Sequence, residues 1–311
     1  MKGEKLMADL IRKIEEKDIP ELKNILKIVF NDENYKDIKR LGGMTNHSYK
    51  VTRNDNKEYL VRIPGEGTEE MINRLDEKKS TELACSLGID TKLLYFDDKG
   101  HKVMDFICEP QNIDEKILSK NENIEQIAKI FKTLHACNVD TGVKFEVFEM
   151  ANLYEKIIND GHVKNYDDYN NVKTKIMQIK TKFDSIKEPL KVPCHNDSLI
   201  GNWVMDKNGK LYLVDWEYSG MNEAMWDLSC LSIEMGYNEE QDNYFLKSYY
   251  GREVSIDEKK RFVASKLYVD FLWTLWGLTR VPYDGQFMQE YADNRYQRLK
   301  NNIDFYNKLE R

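Results

Sequence analysis

The sequence has little proline or cysteine: six prolines and five cysteines in 311 residues. The cysteines are odd in number and never spaced C-x-x-C, which argues against a disulfide framework or a zinc site and predicts reduced thiols. No apolar stretch approaches the ~20 residues that cross a bilayer. The N-terminus lacks the apolar core of a signal peptide. We therefore expect a cytoplasmic protein with no membrane insertion.

The sequence also has no excess of positive charge. It contains 47 Lys and Arg residues and 54 Asp and Glu residues, which gives a net charge of −7. This balance argues against nucleic-acid binding and suits a cationic or metal-borne ligand. The apolar share of 41%, with 11% aromatics, is ample for a packed interior. The chain exceeds the usual size of a single core, so two domains are expected.

The first third of the chain has the pattern of antiparallel hairpins. IPELKNILKIVF has helical spacing and precedes the alternating segments YKDIKR, HSYKVTR and EYLVRIP. A second hairpin, TKLLYFDDKGHKVMDFI, follows a helical segment, TEEMINRLDEKKSTELACSLG, that ends at Gly88. These patterns predict a small antiparallel sheet lobe over residues 1–107.

The rest of the chain, residues 108–311, is mostly helical in pattern. NIEQIAKIFKTLHACN opens this part, and only PCHNDSLIGNWVMDKNGKLYLVDWE resembles strands, as two short ones joined at KNGK. We therefore predict an α+β protein with a small sheet lobe followed by a larger helical lobe.

Three oxygen-bearing side chains cluster around the predicted hairpin at KNGK. Asp197 and Asn202 lie on the loop that enters its first strand, and Asp215 follows its second strand. Phosphoryl transfer needs anchors for a metal ion and a carboxylate that orients the attacking hydroxyl. Each residue alone is weak evidence, since an isolated D-x-x-x-x-N is common. Together, in this order and behind a sheet-rich lobe, they predict a phosphotransferase.

The chain resembles the choline/ethanolamine kinase family, and within it the bacterial choline kinases. This family belongs to the kinase-like phosphotransferases, which include the aminoglycoside phosphotransferases. HNDSLIGN is similar to the catalytic loop, LVDWEYSGMNEAMWDL to the metal-binding segment, and LGGMTNHSYKV to the phosphate loop. YLVRIPG resembles the strand with a phosphate-binding cation, and FLWTLWGL with QEYADNRY the choline pocket. The resemblance implies a two-lobed protein-kinase-like fold.

The resemblance also implies roles for individual residues. Asp197 would accept or orient the substrate hydroxyl, and Asn202 and Asp215 would hold Mg²⁺ against the phosphates of ATP. His195 and Asp227 would support the catalytic loop rather than react. Ser198 and Ile200 depart from the family pattern, which puts the rigidity of this loop in doubt but not the reaction.

The implied ATP-binding residues lie in the first lobe. Arg62 would contact the phosphates and Glu77 would pair with it, although Glu69, Glu70, Asp76 and Glu82 are rival acids on the predicted helix. A surface ion pair is the alternative. The remaining predicted ATP-binding residues, with the adjacent Gly42, are Gly43, Thr45, Asn46, Met104 and Phe106.

The substrate is expected to be choline. Trp273 and Trp276 are three residues apart, hence on one helix face, and a quaternary ammonium is bound through aromatic faces. Such a stripe alone is more typical of a core, and the resemblance favours a choline pocket. The predicted substrate-binding residues are Asp197, Glu217, Tyr218, Trp273, Trp276 and Tyr291.

Three alternatives stay open at this point. Ethanolamine kinase activity would use Glu217 and other acids as hydrogen-bond acceptors, and an aminoglycoside-type phosphotransferase would need an acid-lined cleft. A non-catalytic module that binds choline or nucleotide is the alternative from another class. The expected partners are ATP and choline, and monomer and homodimer are both compatible with the sequence.

Overall fold

The computed structural model describes residues 15–41, 46–65, 72–184 and 190–309. The chain divides into two compact units. The first contains Met1–Ile113 with Gly201–Tyr218, and the second contains Asp114–Ile200 with Ser219–Arg311. The sequence predicted a single division at residue 107, whereas segment 201–218 belongs to the first unit. The backbone of this segment is hydrogen-bonded to the rest of the first unit, since Leu213 N donates to Ile89 O at 3.2 Å.

In the described part of the chain, helices alternate with strands over the first third, and most of the later elements are helices. The helices are α1 (Ile19–Phe30), α2 (Arg74–Ser86), α3 (Glu115–Leu118), α4 (Asn121–His135), α5 (Val147–Asp160), α6 (Tyr169–Asp184), α7 (Ala224–Met235), α8 (Glu239–Tyr250), α9 (Ile256–Asp284) and α10 (Gln286–Leu309). The strands are β1 (Asp37–Arg40), β2 (Asn46–Thr52), β3 (Glu58–Pro64), β4 (Leu93–Phe96), β5 (Lys102–Asp105), β6 (Lys191–Cys194), β7 (Trp203–Met205), β8 (Leu211–Leu213) and β9 (Gly220–Glu223).

The main sheet of the first unit is antiparallel, with strand order β1-β2-β3-β5-β4. Successive side chains of a strand point to opposite faces. One face, which carries Tyr49, Val61 and Val103, packs against α1 in a buried core. The register pairs Ser48 with Arg62 and Arg62 with Lys102, so these side chains share the other face. The alternation in the sequence therefore separates a packing face from a polar face.

Helix α2 begins later than its sequence pattern predicts. Asn73 caps it: its side chain accepts hydrogen bonds from Leu75 N at 3.0 Å and Asp76 N at 3.4 Å, and its own backbone is extended. Ile72 is not helical either, and residues 66–71 lie outside the described part of the chain. Asparagine is favoured at this position because its side-chain oxygen accepts from backbone N–H groups of the first turn, which have no acceptor within the helix.

The hairpin predicted at KNGK is confirmed, since β7 pairs with β8. A further strand pair, β6 with β9, was not predicted. Strand β9 reads GMNE, which is too short and too poor in β-branched residues to stand out from a loop. This second pair fixes both ends of the segment that contains Asp197.

The second unit is built around α9. This helix packs against α10, α5, α6 and α7. Most of its residues between Phe262 and Arg280 are buried, so the helix is surrounded by the others rather than amphipathic. Among the described residues, no helix combines the length and the apolar character that crossing a membrane requires. The architecture is the predicted α+β class, a small antiparallel sheet with a larger helical part.

Candidate active site

The polar face of the main sheet holds a buried ion pair. Arg62, on β3, donates through Nη1 to Oε1 of Glu77, on α2, and through Nη2 to Gly100 O at 3.0 Å. Arg62 is 2% exposed and Glu77 is 1% exposed. The predicted pairing is confirmed, and the surface alternative is wrong because both groups are buried.

Glu77 is surrounded by cations. Arg74 Nη1 lies 2.8 Å from its Oε2, and Lys102 Nζ lies 3.5 Å from its Oε1. Burial raises the pKa of Glu77, but Arg62, Lys102 and Arg74 outweigh burial and lower that pKa to about 2. Burial likewise lowers the pKa of Arg62, and Glu77 reverses this effect, so the guanidinium stays charged. A fixed, permanently charged arginine suits the binding of phosphates.

Glu217 contacts Arg74, which also contacts Glu77. Its Oε2 accepts from Asn46 Nδ2 at 2.8 Å and from Arg74 Nη1 at 3.2 Å. Burial raises the pKa of Glu217, with Asp215 and Glu77 adding to the effect. The structure thus places Glu217 among the predicted ATP-binding residues, and its role toward the acceptor stays a prediction.

Asn202 and Asp215 lie at one end of the β7–β8 hairpin. Asn202 precedes β7, Asp215 follows β8, and Val214 N donates to Asn202 O at 2.9 Å. Asp215 has φ +68°, a conformation that aspartate tolerates better than most residues. Its Oδ1 lies 3.6 Å from Arg62 Nη1, and its side chain is 38% exposed.

These groups fit a divalent cation. A carboxylate and an amide oxygen are hard ligands of the kind that Mg²⁺ prefers. Burial is the main cause of the raised pKa of the neighbouring Glu217, and the negative charges of Asp215 and Glu77 crowd it further. A bound cation would relieve this crowding.

Asp90 supports the same segment and was not predicted from sequence. Its Oδ2 accepts from Trp216 Nε1 at 3.1 Å, and Trp216 is fully buried. Burial raises the pKa of Asp90 to about 6. The Asp90 carboxylate therefore holds the indole that lies between Asp215 and Glu217 in the chain. A lone aspartate in SLGID gives no sequence signal for this contact.

Other predicted ATP-binding positions are placed differently. Gly42, Gly43 and Thr45 lie outside the described residues. Met104 is 1% exposed and pairs with Leu60, on the sheet face opposite Val103. The ring of Phe106 lies 4.7 Å from Lys50 Nζ. Their contact with ATP stays a prediction.

In the second unit, Asp227 anchors the loop that carries Asp197. It accepts from His195 N at 2.8 Å and from Asn196 N at 2.7 Å, and it is fully buried. Asp197 N donates to His195 Nδ1 at 3.2 Å. These contacts are the ones expected of His195 and Asp227, whose supporting roles in the reaction stay predictions. Asp197 itself is half-buried.

Further hydrogen bonds fix the loop. Trp226 Nε1 donates to Asn196 O at 2.9 Å, and Asn222 Nδ2 donates to Asn196 Oδ1 at 2.9 Å. Ser219 Oγ donates to Cys194 O at 2.7 Å. These bonds hold the backbone of the loop on either side of Asp197, although Ser198 and Ile200 depart from the family pattern.

His135 contacts the carboxylate of Asp227, a role that was not predicted from the sequence. In the structure its Nε2 lies 3.0 Å from Asp227 Oδ2 and its Nδ1 lies 2.9 Å from Tyr249 Oη. His135 thus holds the carboxylate that anchors the loop of Asp197. The contact joins residues 92 positions apart, so helical periodicity in the sequence does not reveal it.

Three predicted acceptor-site rings form a continuous series in the second unit. The Trp273 and Trp276 rings are 5.8 Å apart at 86°, and the Trp276 and Tyr291 rings are 5.8 Å apart at 71°. A Cβ on Gly277 would lie 2.8 Å from Tyr291 Cδ1, so only glycine admits this close approach of α9 and α10. Tyr218 belongs to the first unit, and its part in substrate binding stays a prediction.

Tyr291, at the end of this ring series, has a raised pKa. Burial raises the pKa of Tyr291, and the charges of Glu234 and Asp197 raise it further, while Arg295 opposes them. The Arg295 guanidinium lies 4.6 Å from the Tyr291 ring centre. Both indoles are nearly buried, at 2% and 5% exposure, as in a core.

Comparisons with known proteins identify the family of the chain. The model of the choline/ethanolamine kinase family matches residues 38–271. Protein LicA of Haemophilus influenzae is 23% identical over 263 residues, which cover 82% of this chain and 76% of that protein. Choline kinase LicA of Streptococcus pneumoniae has a TM-score of 0.80 and 30% identity, covering 92% of this chain and 99% of that one.

A more distant likeness concerns the fold alone. The structure of spectinomycin phosphotransferase is 15% identical, with a TM-score of 0.62, and covers 96% of this chain and 99% of that one. The predicted kinase-like fold is therefore confirmed. Because the family model spans well over half of the sequence, the chain belongs to the choline/ethanolamine kinase family and is an ATP-dependent phosphotransferase that acts on an alcohol.

Proposed function

We propose that the protein is a choline kinase, which transfers the γ-phosphoryl group of Mg-ATP to the hydroxyl of choline and releases phosphocholine and ADP. The observation that carries this proposal is the ring series of Trp273, Trp276 and Tyr291 in the same unit as Asp197. Burial raises the pKa of Tyr291, and the charge of Asp197 adds to this effect.

Aromatic rings suit choline because its quaternary ammonium has no N–H to donate. Such a cation is bound through ring faces, and each contact contributes ~0.5–1 kcal/mol when exposed and ~2 kcal/mol when desolvated. Two indoles and a phenol would together contribute on the order of several kcal/mol, enough for millimolar-to-micromolar affinity. Their edge-to-face packing holds the rings in fixed positions before the ligand arrives.

The remaining residues divide the reaction between them. Asp197 orients the choline hydroxyl and takes its proton, as carboxylates do in kinase-type transfer. Asn202 and Asp215 would hold Mg²⁺, which supplies charge neutralisation at the phosphates when bound. Arg62, held in place by Glu77, binds the phosphate oxygens.

Ethanolamine is the second candidate acceptor. A primary ammonium requires hydrogen-bond acceptors, and Glu217 was the acid predicted for this purpose. Glu217 already accepts from Asn46 and Arg74, so it is committed to the first unit. In the second unit, Glu234 and Asp270 pair with Arg295. Because these acids already have cationic partners, we favour an acceptor whose ammonium group is bound by aromatic rings rather than by carboxylates.

A substrate panel tests the choice of acceptor. With Mg-ATP, we expect kcat/KM to rise from ethanolamine through its mono- and dimethylated forms to choline, because each methyl group adds contact with the rings. Kanamycin and thiamine serve as controls for other acceptor classes. A maximum at ethanolamine, or turnover of kanamycin above that of choline, would overturn the proposal.

Replacing Trp276 with leucine tests the ring series directly. We expect the KM for choline to rise about tenfold or more, because a cation–π contact of ~1–2 kcal/mol is lost, while the KM for ATP stays nearly unchanged. Steady-state kinetics with each substrate varied in turn measure both values. A matched control is Trp226→Leu, which removes an indole bonded to Asn196 O instead. Equal changes for choline and ATP in Trp276→Leu would mean that the ring is only structural.

A further inference from the structure

Arg295, on α10, is a buried arginine with no role predicted from the sequence. It lies one helical turn after Tyr291 and is 3% exposed. Its guanidinium carbon lies over the Tyr291 ring, 4.6 Å from the ring centre. A guanidinium within about 6 Å of a ring centre and over the ring face makes a cation–π contact. Arg295 therefore contacts the last ring of the series formed with the two indoles.

Two carboxylates from other helices hold this guanidinium. Arg295 donates through Nη2 to Oε1 of Glu234, on α7, and through Nη1 to Oδ1 of Asp270, on α9, at 3.4 Å. Its N–H donors lie in one plane, so the same group can bond carboxylates at its edge and stack on a ring with its face. Arg295 thus ties the Tyr291 ring to α7 and α9 as well as to its own helix.

The packing of Tyr291 leaves its ring little freedom on the side of α9. The ring meets that of Trp276 at 71°, with the ring centres 5.8 Å apart. Gly277 gives it just enough room, because a Cβ there would lie 2.8 Å from Tyr291 Cδ1. Tyr291 is nevertheless half-buried, whereas Arg295 is buried. A ring that is held in one orientation before the ligand arrives, and that is not fully covered, suits the recognition of an ammonium group.

We propose that Arg295 is a positioning residue of the acceptor site: its guanidinium holds the Tyr291 ring in the orientation that binds the ammonium group of the acceptor. This inference rests on the proposed function, in which Tyr291 contacts that ammonium group. Arg295 acts through the ring and not on the acceptor itself. Its positive charge is balanced locally, since Glu234 and Asp270 face Arg295 and Arg298. The buried arginine is therefore compatible with a cationic acceptor nearby.

Replacing Arg295 with lysine tests this role. Lysine keeps a positive charge beside Glu234, but its ammonium is a compact point charge without a planar face to stack on the ring. Asp270 keeps its two hydrogen bonds from Arg298, so the variant is expected to fold. We expect the KM for choline to rise about fivefold or more, as when one cation–π contact is lost. The values of kcat and of the KM for ATP are expected to stay within about twofold of the wild type in steady-state kinetics.

Arg298→Lys is the matched control. Arg298 lies on the same helix and donates to the same carboxylate, through Nε at 2.9 Å and Nη2 at 2.6 Å, whereas the cation over the Tyr291 ring is Arg295. We expect this control to leave the KM for choline within about twofold of the wild type. Equal rises in Arg295→Lys and Arg298→Lys would mean that the network around Asp270 is only structural, and would overturn the proposal.

Arg295→Met is a second variant, so that the test does not depend on how lysine is accommodated. Methionine fills similar space with an unbranched side chain and has no charge. We again expect a higher KM for choline with little change in the KM for ATP. A lower KM for choline would mean that the guanidinium repels the acceptor rather than positions the ring, which is incompatible with the proposed role.

A double-mutant cycle shows whether Arg295 acts through the ring. Tyr291→Leu alone is expected to raise the KM for choline on the order of tenfold, because the ring contact is lost. Adding Arg295→Lys to Tyr291→Leu is expected to change this KM by less than about twofold, since residues that act through one contact are not additive. If the second substitution has its full effect without the ring, Arg295 acts elsewhere and the positioning role is wrong.

Failure of this inference is separable from failure of the proposed function. If Tyr291→Leu raises the KM for choline but Arg295→Lys does not, only the role of Arg295 is wrong. If Tyr291→Leu leaves the KM for choline unchanged, the ring series does not bind the acceptor and the proposed function loses its support. If the wild type turns over ethanolamine and not choline, the proposed acceptor is wrong, and the same cycle run with ethanolamine tests Arg295 independently of choline.

Discussion

Replacing Asp197 with asparagine is expected to lower kcat by about 10²–10⁴-fold, because positioned carboxylates contribute this much to general-base catalysis. The KM for ATP is expected to change little, since the groups proposed to hold ATP belong to the first unit. Asparagine keeps the size and hydrogen-bonding reach of the side chain but cannot take the proton of the acceptor. The loss therefore reports on chemistry rather than on packing. Steady-state kinetics with saturating choline measure the effect.

Asp215→Asn is the matched control for that experiment. It removes the same charge from a residue proposed to hold Mg²⁺, so we expect the Mg²⁺ concentration for half-maximal rate to rise. In Asp197→Asn this concentration is expected to stay at the wild-type value. Turnover within a few-fold of wild type in Asp197→Asn would remove this carboxylate from the mechanism. A shifted Mg²⁺ requirement in Asp197→Asn would instead assign it to the metal.

The sheet of the first unit was predictable because each strand carries its own local signals. Strands β2 and β3 alternate strongly and are separated by the polar turn NDNK, so their register follows from local sequence. Strand β9 has no comparable signal. It forms because Gly220–Glu223 pairs with β6. The β7–β8 hairpin separates these two strands in the chain. Pairing that depends on tertiary context escapes a local interpretation.

The site was predictable to a similar extent. The residues with family-like motifs, such as Arg62, Glu77 and Asp227, make the contacts expected of them. His135 and Asp90 were missed because each works through a partner far along the chain. On their own segments both have ordinary features, a helix end and a turn. A sequence pattern identifies groups that carry a motif, whereas the groups that hold them are found through three-dimensional contacts.

Glu77→Gln is expected to destabilise the protein by about 3–5 kcal/mol, because it leaves buried cations without a counter-charge. Arg62 and Lys102 are both nearly inaccessible to water, so solvent cannot compensate for the lost carboxylate. Urea unfolding at neutral pH measures the change in the free energy of unfolding. Glu82→Gln, on the exposed side of the same helix, is the control and is expected to change stability by no more than about 0.5 kcal/mol.

The same carboxylate predicts how stability depends on pH. The pKa of Glu77 is about 2 in the folded protein, below its ordinary value of 4.5. Folding is therefore favoured by the ionised form. This contribution is complete above about pH 4.5 and is lost as the pH falls toward 2. Because each unit of pKa shift corresponds to ~1.4 kcal/mol, this contribution is on the order of 3 kcal/mol.

Comparing the two proteins across that pH range isolates Glu77 from the other acids. The wild type is expected to lose stability more steeply than Glu77→Gln between pH 4.5 and 2.5, so that the difference between them shrinks as the pH falls. Other carboxylates titrate in both proteins and cancel in the difference. A difference that stays constant over this range would mean that Glu77 contributes through packing alone. The ion pair with Arg62 would then be an incidental feature of the fold rather than the support that keeps this arginine in place for the phosphates.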